Sequence, residues 1–158
     1  MNRKWIKWRP AVLLILISFV AAACANESSG KAGWSLIRTT NPEPVAIYDG
    51  DAALIRNIKK DLEQFDELYD IAVIKGKEDI LVAYKVRHMK RFRMKKIEKN
   101  IKKLLNKKYP DEKFTISSDY KIFLEAVELK EKLKNPHYSR DQAEKQLKKI
   151  IKLKNEMT

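Results

Sequence analysis

The 158-residue chain has one cysteine, four glycines, five prolines and two histidines. A lone cysteine cannot staple a small domain, so stability must come from packing. There is no Gly-rich phosphate loop and no Gly-x-Ser-x-Gly elbow. His88 and His137 lie far apart in sequence and not at ligand spacing on one helix, which argues against a metal cluster. The close acid pairs, Asp61 with Glu63 and Asp66 with Glu67, sit among lysines. They read as solvated ion pairs rather than paired catalytic acids. The longest uncharged apolar run, residues 10–23, has 14 residues, short of the roughly 20 that span a bilayer. The expectation is a protein that is not an enzyme and needs no metal or cofactor.

What the chain does have is positive charge. Lysine and arginine outnumber acids 34 to 21, for a net +13. Arg3, Lys4, Lys7 and Arg9 precede the apolar run, which closes on Ala21-Ala22-Ala23-Cys24. A positive stretch, a short apolar stretch and small residues before a cut make an export signal. The only cysteine stands where a diacylglyceryl transferase would act, and the segment resembles a bacterial lipobox with Ala21 in the place more often held by leucine. Residues 1–23 are therefore expected to be a lipoprotein signal peptide, and Cys24 the lipid attachment site. Acyl chains there, palmitate among them, would anchor the protein, since each buried methylene adds about 0.8 kcal/mol. Removal of the leader takes four cations and no acid, leaving +9. That balance favours anionic neighbours: lipid headgroups, wall polymers or nucleic acid.

Residues 24–45 are small and polar and end in Asn41-Pro-Glu-Pro44, the composition of a tether. Trp34, Leu36 and Ile37 interrupt it. From Asp51 the pattern becomes helical, with Leu54, Ile58, Leu62 and Phe65 on one face. Two apolar, β-branched runs, 69–74 and 80–86, flank a turn with Gly76 and predict an antiparallel hairpin. A helix over about 92–109 follows, with Met94, Ile97, Ile101, Leu104 and Leu105 inward. Residues 113–117 form a third strand. Ser118 or Asp119 then caps a helix whose buried face is Ile122, Ala126, Leu129 and Leu133. Ser139 and Gln142 have capping-box spacing and open a last amphipathic helix within residues 136–158. The expected fold is α+β. Residues 46–135 would form a two-layer sandwich in α-β-β-α-β-α order, with its helices on one face of a small, mostly antiparallel sheet.

A lipoprotein signal, a polar spacer and this domain together resemble the YhcN/YlaJ family of sporulation lipoproteins of endospore-forming bacteria. The likeness is carried by Leu62-Glu-Gln-Phe65, the hairpin Ile71-Ala-Val-Ile74 with Ile80-Leu-Val-Ala-Tyr84, and Phe114-Thr-Ile-Ser-Ser-Asp119. It covers about residues 54–133 and the leader, through motifs of pattern rather than of chemistry. The element order is also similar to the small modules of ring-building secretion proteins and BON-type envelope domains, which bind partners or phospholipid. The resemblance implies a spore-envelope lipoprotein with no catalytic residues to carry over. The dense basic stretch and the long last helix depart from it.

That basic stretch runs over residues 85–96, with seven cations in twelve residues: Lys85, Arg87, Lys90, Arg91, Arg93, Lys95 and Lys96. Met89, Phe92 and Met94 lie between them. On anionic phospholipid each cation contributes about 1 kcal/mol at best, and the aromatic would enter the interface. The plainer reading is a solvated basic face with Phe92 and Met94 in the core. Nucleic acid would also suit cations interleaved with an aromatic. It ranks third for an exported chain with no RNP or zinc-finger signature. The functional expectation is a non-enzymatic, lipid-anchored protein at the outer face of the cell membrane, possessing a spore-envelope role. It would dock an envelope protein partner or the anionic membrane surface. The alternatives are an exported module binding wall polymer or nucleic acid, or an accessory to a cell-wall enzyme.

Overall fold

A computed structural model describes residues 41–157. The expected signal peptide, Cys24 and tether residues 24–40 lie outside them. The elements are β1 (Val45–Ala46), α1 (Ala52–Leu62), β2 (Leu68–Lys75), β3 (Asp79–Val86), a 3-10 helix (His88–Arg93), α2 (Met94–Lys108), β4 (Lys113–Ser117), α3 (Tyr120–Lys132) and α4 (Arg140–Glu156). The class is α+β, with four helices and one four-stranded sheet in the order β1-β2-β3-β4.

The hairpin forms as its composition predicts, with Ile71 opposite Tyr84 and Val73 opposite Val82. The expected mostly antiparallel sheet is corrected to a mixed one. β1 pairs with β2 in parallel and β4 pairs with β3 in parallel, because a helix lies between the members of each pair and returns the chain in the same direction. β1 falls where the tether was expected to end. Lys59 Nζ donates to the carbonyls of Asn41 (3.2 Å) and Pro42 (2.6 Å). Asn41 Nδ2 reaches Glu63. Residues 41–46 are therefore held to the domain rather than free of it.

The two-layer expectation also gives way. β2 and β3 are buried at nearly every position rather than at alternate ones, which requires cover on both faces. On one face Ile71, Val73, Ile80, Val82, Tyr84 and Ile116 pack with Ile55, Ile58 and Leu62 of α1 and Ile97, Ile101 and Leu105 of α2. On the other, Ala72 and Ile74 meet Ala126 and Val127 of α3. α4 packs against α3 through the face carrying Ala143, Leu147 and Ile150. It passes so close to the hairpin turn that a Cβ on Gly76 would lie 2.6 Å from Glu144 Oε2 and 2.7 Å from Leu147 Cδ2. The predicted capping box is present: Ser139 accepts from Gln142 N–H and the Gln142 side chain accepts from Ser139 N–H. Asp119 caps α3 by accepting from Lys121 and Ile122.

Candidate functional site

The basic stretch divides into two parts with different roles. Lys85 belongs to β3, and its side chain crosses to the sheet face covered by α3. There its ammonium pairs with Asp70 at 3.0 Å. It also lies over the rings of Phe123 (4.6 Å to the centroid), Tyr120 (5.3 Å) and Tyr69 (5.6 Å). Cation and ring faces attract at these separations. Lys85 is thus fixed in place, not displayed on a surface.

After β3 the chain leaves the sheet. Arg87 N–H donates to Glu67 and its Nε donates to the Asp66 carbonyl at 2.9 Å, clamping the exit. The 3-10 helix that follows buries no residue at all. Met89 is 77% exposed and Phe92 84% exposed. Arg87, Arg91, Lys95 and Lys96 are exposed around them, and Lys90 and Arg93 are half-buried. None of these cations pairs with a carboxylate among the described residues, although acids are engaged by lysines elsewhere on the molecule. The reading that placed both Phe92 and Met94 in the core is half met. Met94 packs against the core cluster, while Phe92 stands in solvent.

Other exposed apolar side chains gather at this same end. β2 carries one extra residue against β3, since Leu68 faces Val86 and Asp70 faces Lys85. Tyr69 is that bulged residue and projects outward, as bulges re-aim side chains. Tyr69, Lys85, Val86, Arg91, Met94, Ser118 and Tyr120 line a cleft of about 260 Å³. A second cleft of about 300 Å³ shares Met94, Ser118 and Tyr120 with it and continues past Glu98 and Asp119 to Met157. Beneath this region lies the Tyr84 hydroxyl, fully buried, with Ser118 and Glu98 as its polar neighbours; burial raises its pKa above the usual tyrosine value. Tyr69, Met89, Phe92, Tyr120 and Met157 are the exposed large apolar residues of the described chain. Each lies on one of these clefts or on the 3-10 helix beside them.

Asp70 ties this end to the start of the described chain. One of its oxygens accepts from Lys85 and the other accepts from Asn41 N–H at 2.6 Å. Residue 41 is therefore one carboxylate away from the cleft cation. Neither Tyr69, Ser118 and Tyr120 nor the bridging Asp70 was legible as a site from sequence. Their only signal is the strand-to-helix junction Ser117-Ser118-Asp119-Tyr120, which reads as a cap.

Of the acids considered for catalysis, Asp61 is a structural clasp between α1 and the end of α2. It accepts from Lys108 Nζ (2.6 Å) and Tyr109 Oη (2.7 Å). Among the described residues no group of three or more His, Asp or Glu could hold a metal ion. No helix there is long and apolar enough to cross a membrane. No family model, curated protein or solved structure matches the chain.

Proposed function

We propose that the protein is a non-enzymatic lipoprotein of the cell envelope. Acyl chains on Cys24 hold it at the outer face of the cell membrane, and its basic, aromatic end lies on anionic lipid. The observation that carries this reading is Phe92, 84% exposed on a helix with no buried residue and ringed by cations that have no acid partner. An exposed aromatic among unpaired cations suits an interface that is apolar below and negative above. The tether supports the same orientation, because residue 41 is fixed beside the cleft. The resemblance to sporulation lipoproteins supports reading this role as one in spore formation or germination, with an envelope protein as the further partner.

The experiment is intact mass and membrane fractionation of the native protein beside Cys24→Ser. The reading expects a diacylated Cys24 at a new N-terminus, and a variant that is unprocessed or lost from membranes. An unmodified cysteine on an intact leader, or cleavage elsewhere with free release, overturns it. The same unpaired cations favour a second reading, an exported module for wall polymer or nucleic acid. Salt-sensitive binding of teichoic acid or DNA by a released protein would establish that one instead.

A further inference from the structure

Of the two clefts at the basic end, only one has the chemistry of an anion site. The larger includes two carboxylates, Glu98 and Asp119, against one cation, Lys154, in its wall. The smaller has no carboxylate in its lining. Its lining residues are the cations Arg91 and Lys85, the hydroxyl-bearing Tyr69, Tyr120 and Ser118, and the apolar Val86 and Met94. Lys85 is part-neutralised by Asp70 behind it, so the uncompensated charge belongs to Arg91. A guanidinium fork matches two oxygens of a phosphate, and a fixed ammonium adds a point charge. The aromatic and thioether walls suit the carbon skeleton that a phosphate ester carries.

We infer that the cleft between Tyr69 and Tyr120 is a headgroup pocket, which takes the phosphate of an anionic phospholipid against Arg91 and Lys85. This rests on the proposed membrane-facing orientation and gives it a ligand. The bulge at Tyr69 opens the pocket. Phe92, one residue beyond Arg91, is placed to enter the lipid around a captured headgroup. Asp70 bonds both Lys85 and Asn41, so a phosphate drawing on Lys85 would also be felt at the origin of the tether.

The chain carries methionines at 89, 94 and 157 within the described residues, and they report on separate places. Met94 lines both clefts, Met157 lines the larger cleft alone and Met89 stands on the 3-10 helix, so a Met94 shift without a Met157 shift marks the smaller pocket. The test is methyl NMR of the full chain labelled at methionine in uncharged maltoside micelles. It is titrated with dihexanoyl phosphatidylglycerol, dihexanoyl phosphatidylcholine, or glycerol phosphate. The pocket predicts a saturable Met94 shift with the phosphatidylglycerol that exceeds the shift with the other two. Arg91→Gln should weaken it about tenfold, the scale of a lost charge-assisted hydrogen bond. Lys102→Gln with Lys103→Gln, exposed on α2 outside the basic stretch, should leave it within about twofold. An equal Met94 shift with glycerol phosphate would make this a site for free phosphate esters and overturn the lipid assignment. Movement of Met89 without Met94 would overturn the pocket and leave surface adsorption standing. Stillness of both would overturn the pocket and the membrane-facing orientation together.

Discussion

Asp61 shows how single residues here exchange apparent chemistry for structure. Its burial alone would raise the carboxyl pKa, but the bonds from Lys108 and Tyr109 outweigh it and hold the group below its usual range. A depressed carboxyl contributes stability that is complete above the unfolded value, near pH 4, and is lost as pH falls through the folded value. Asp61→Ala should therefore cost about 1.5–3 kcal/mol at neutral pH, and the difference from wild type should shrink on acidification. Urea unfolding at pH 7 and pH 3 checks both. Tyr109, burial first and Asp61 second, is pushed up to about 12, so the phenol stays a donor throughout that range. Sequence showed Asp61 only as an acid among lysines, because its partners lie 47 and 48 residues away. The same blindness applies to Phe92 and Met94. They are two residues apart in one basic run, and only the change from 3-10 to α-helix sends one outward and the other inward.

At the scale of elements, local rules settled most of what was read. The capping box at Ser139, the cap at Asp119, the strand at 113–117 and the hairpin all depend on neighbours in sequence, and all are present. Ser139→Ala should lower stability by about 1 kcal/mol, seen as a lower urea midpoint without a change in slope. Gly76→Ala tests a contact that sequence did not reveal. Its Cβ would meet both Glu144 and Leu147, and overpacking costs typically about 1–3 kcal/mol. The expected signature is faster amide exchange along α4 with α1 unaffected. A two-residue strand at 45–46 was not legible either. It pairs at an edge through Val45 opposite Ile74 and Ala46 opposite Lys75, and prolines on its near side read as tether. The error of a mostly antiparallel sheet had two sources: this strand was missed, and the return through α2 sets β4 parallel to β3.

For the molecule as a whole, two asymmetries set the function proposed. Helices cover both faces of the sheet, so no sheet surface remains to dock a partner among the described residues. The exposed apolar side chains and acid-free cations instead share one end, beside the point where residue 41 is clamped. Charge was legible from composition, but the assembly of Tyr69, Arg91, Phe92 and Tyr120 at that end comes from the bulge and the fold. Membrane attraction through this end should be electrostatic in range and apolar in depth. Raising salt toward 1 M shortens the screening length to about 3 Å and should weaken it. Phe92→Ser should reduce affinity for anionic vesicles about tenfold through lost apolar burial, measured by vesicle co-sedimentation of the purified protein.

The most direct measurement is hydrogen exchange of the native protein on nanodiscs, comparing phosphatidylglycerol with phosphatidylcholine. The account predicts slower exchange confined to residues 87–94 and 117–121 on the anionic discs. Identical exchange on both discs, or protection centred on α1 or α4 instead, would contradict it.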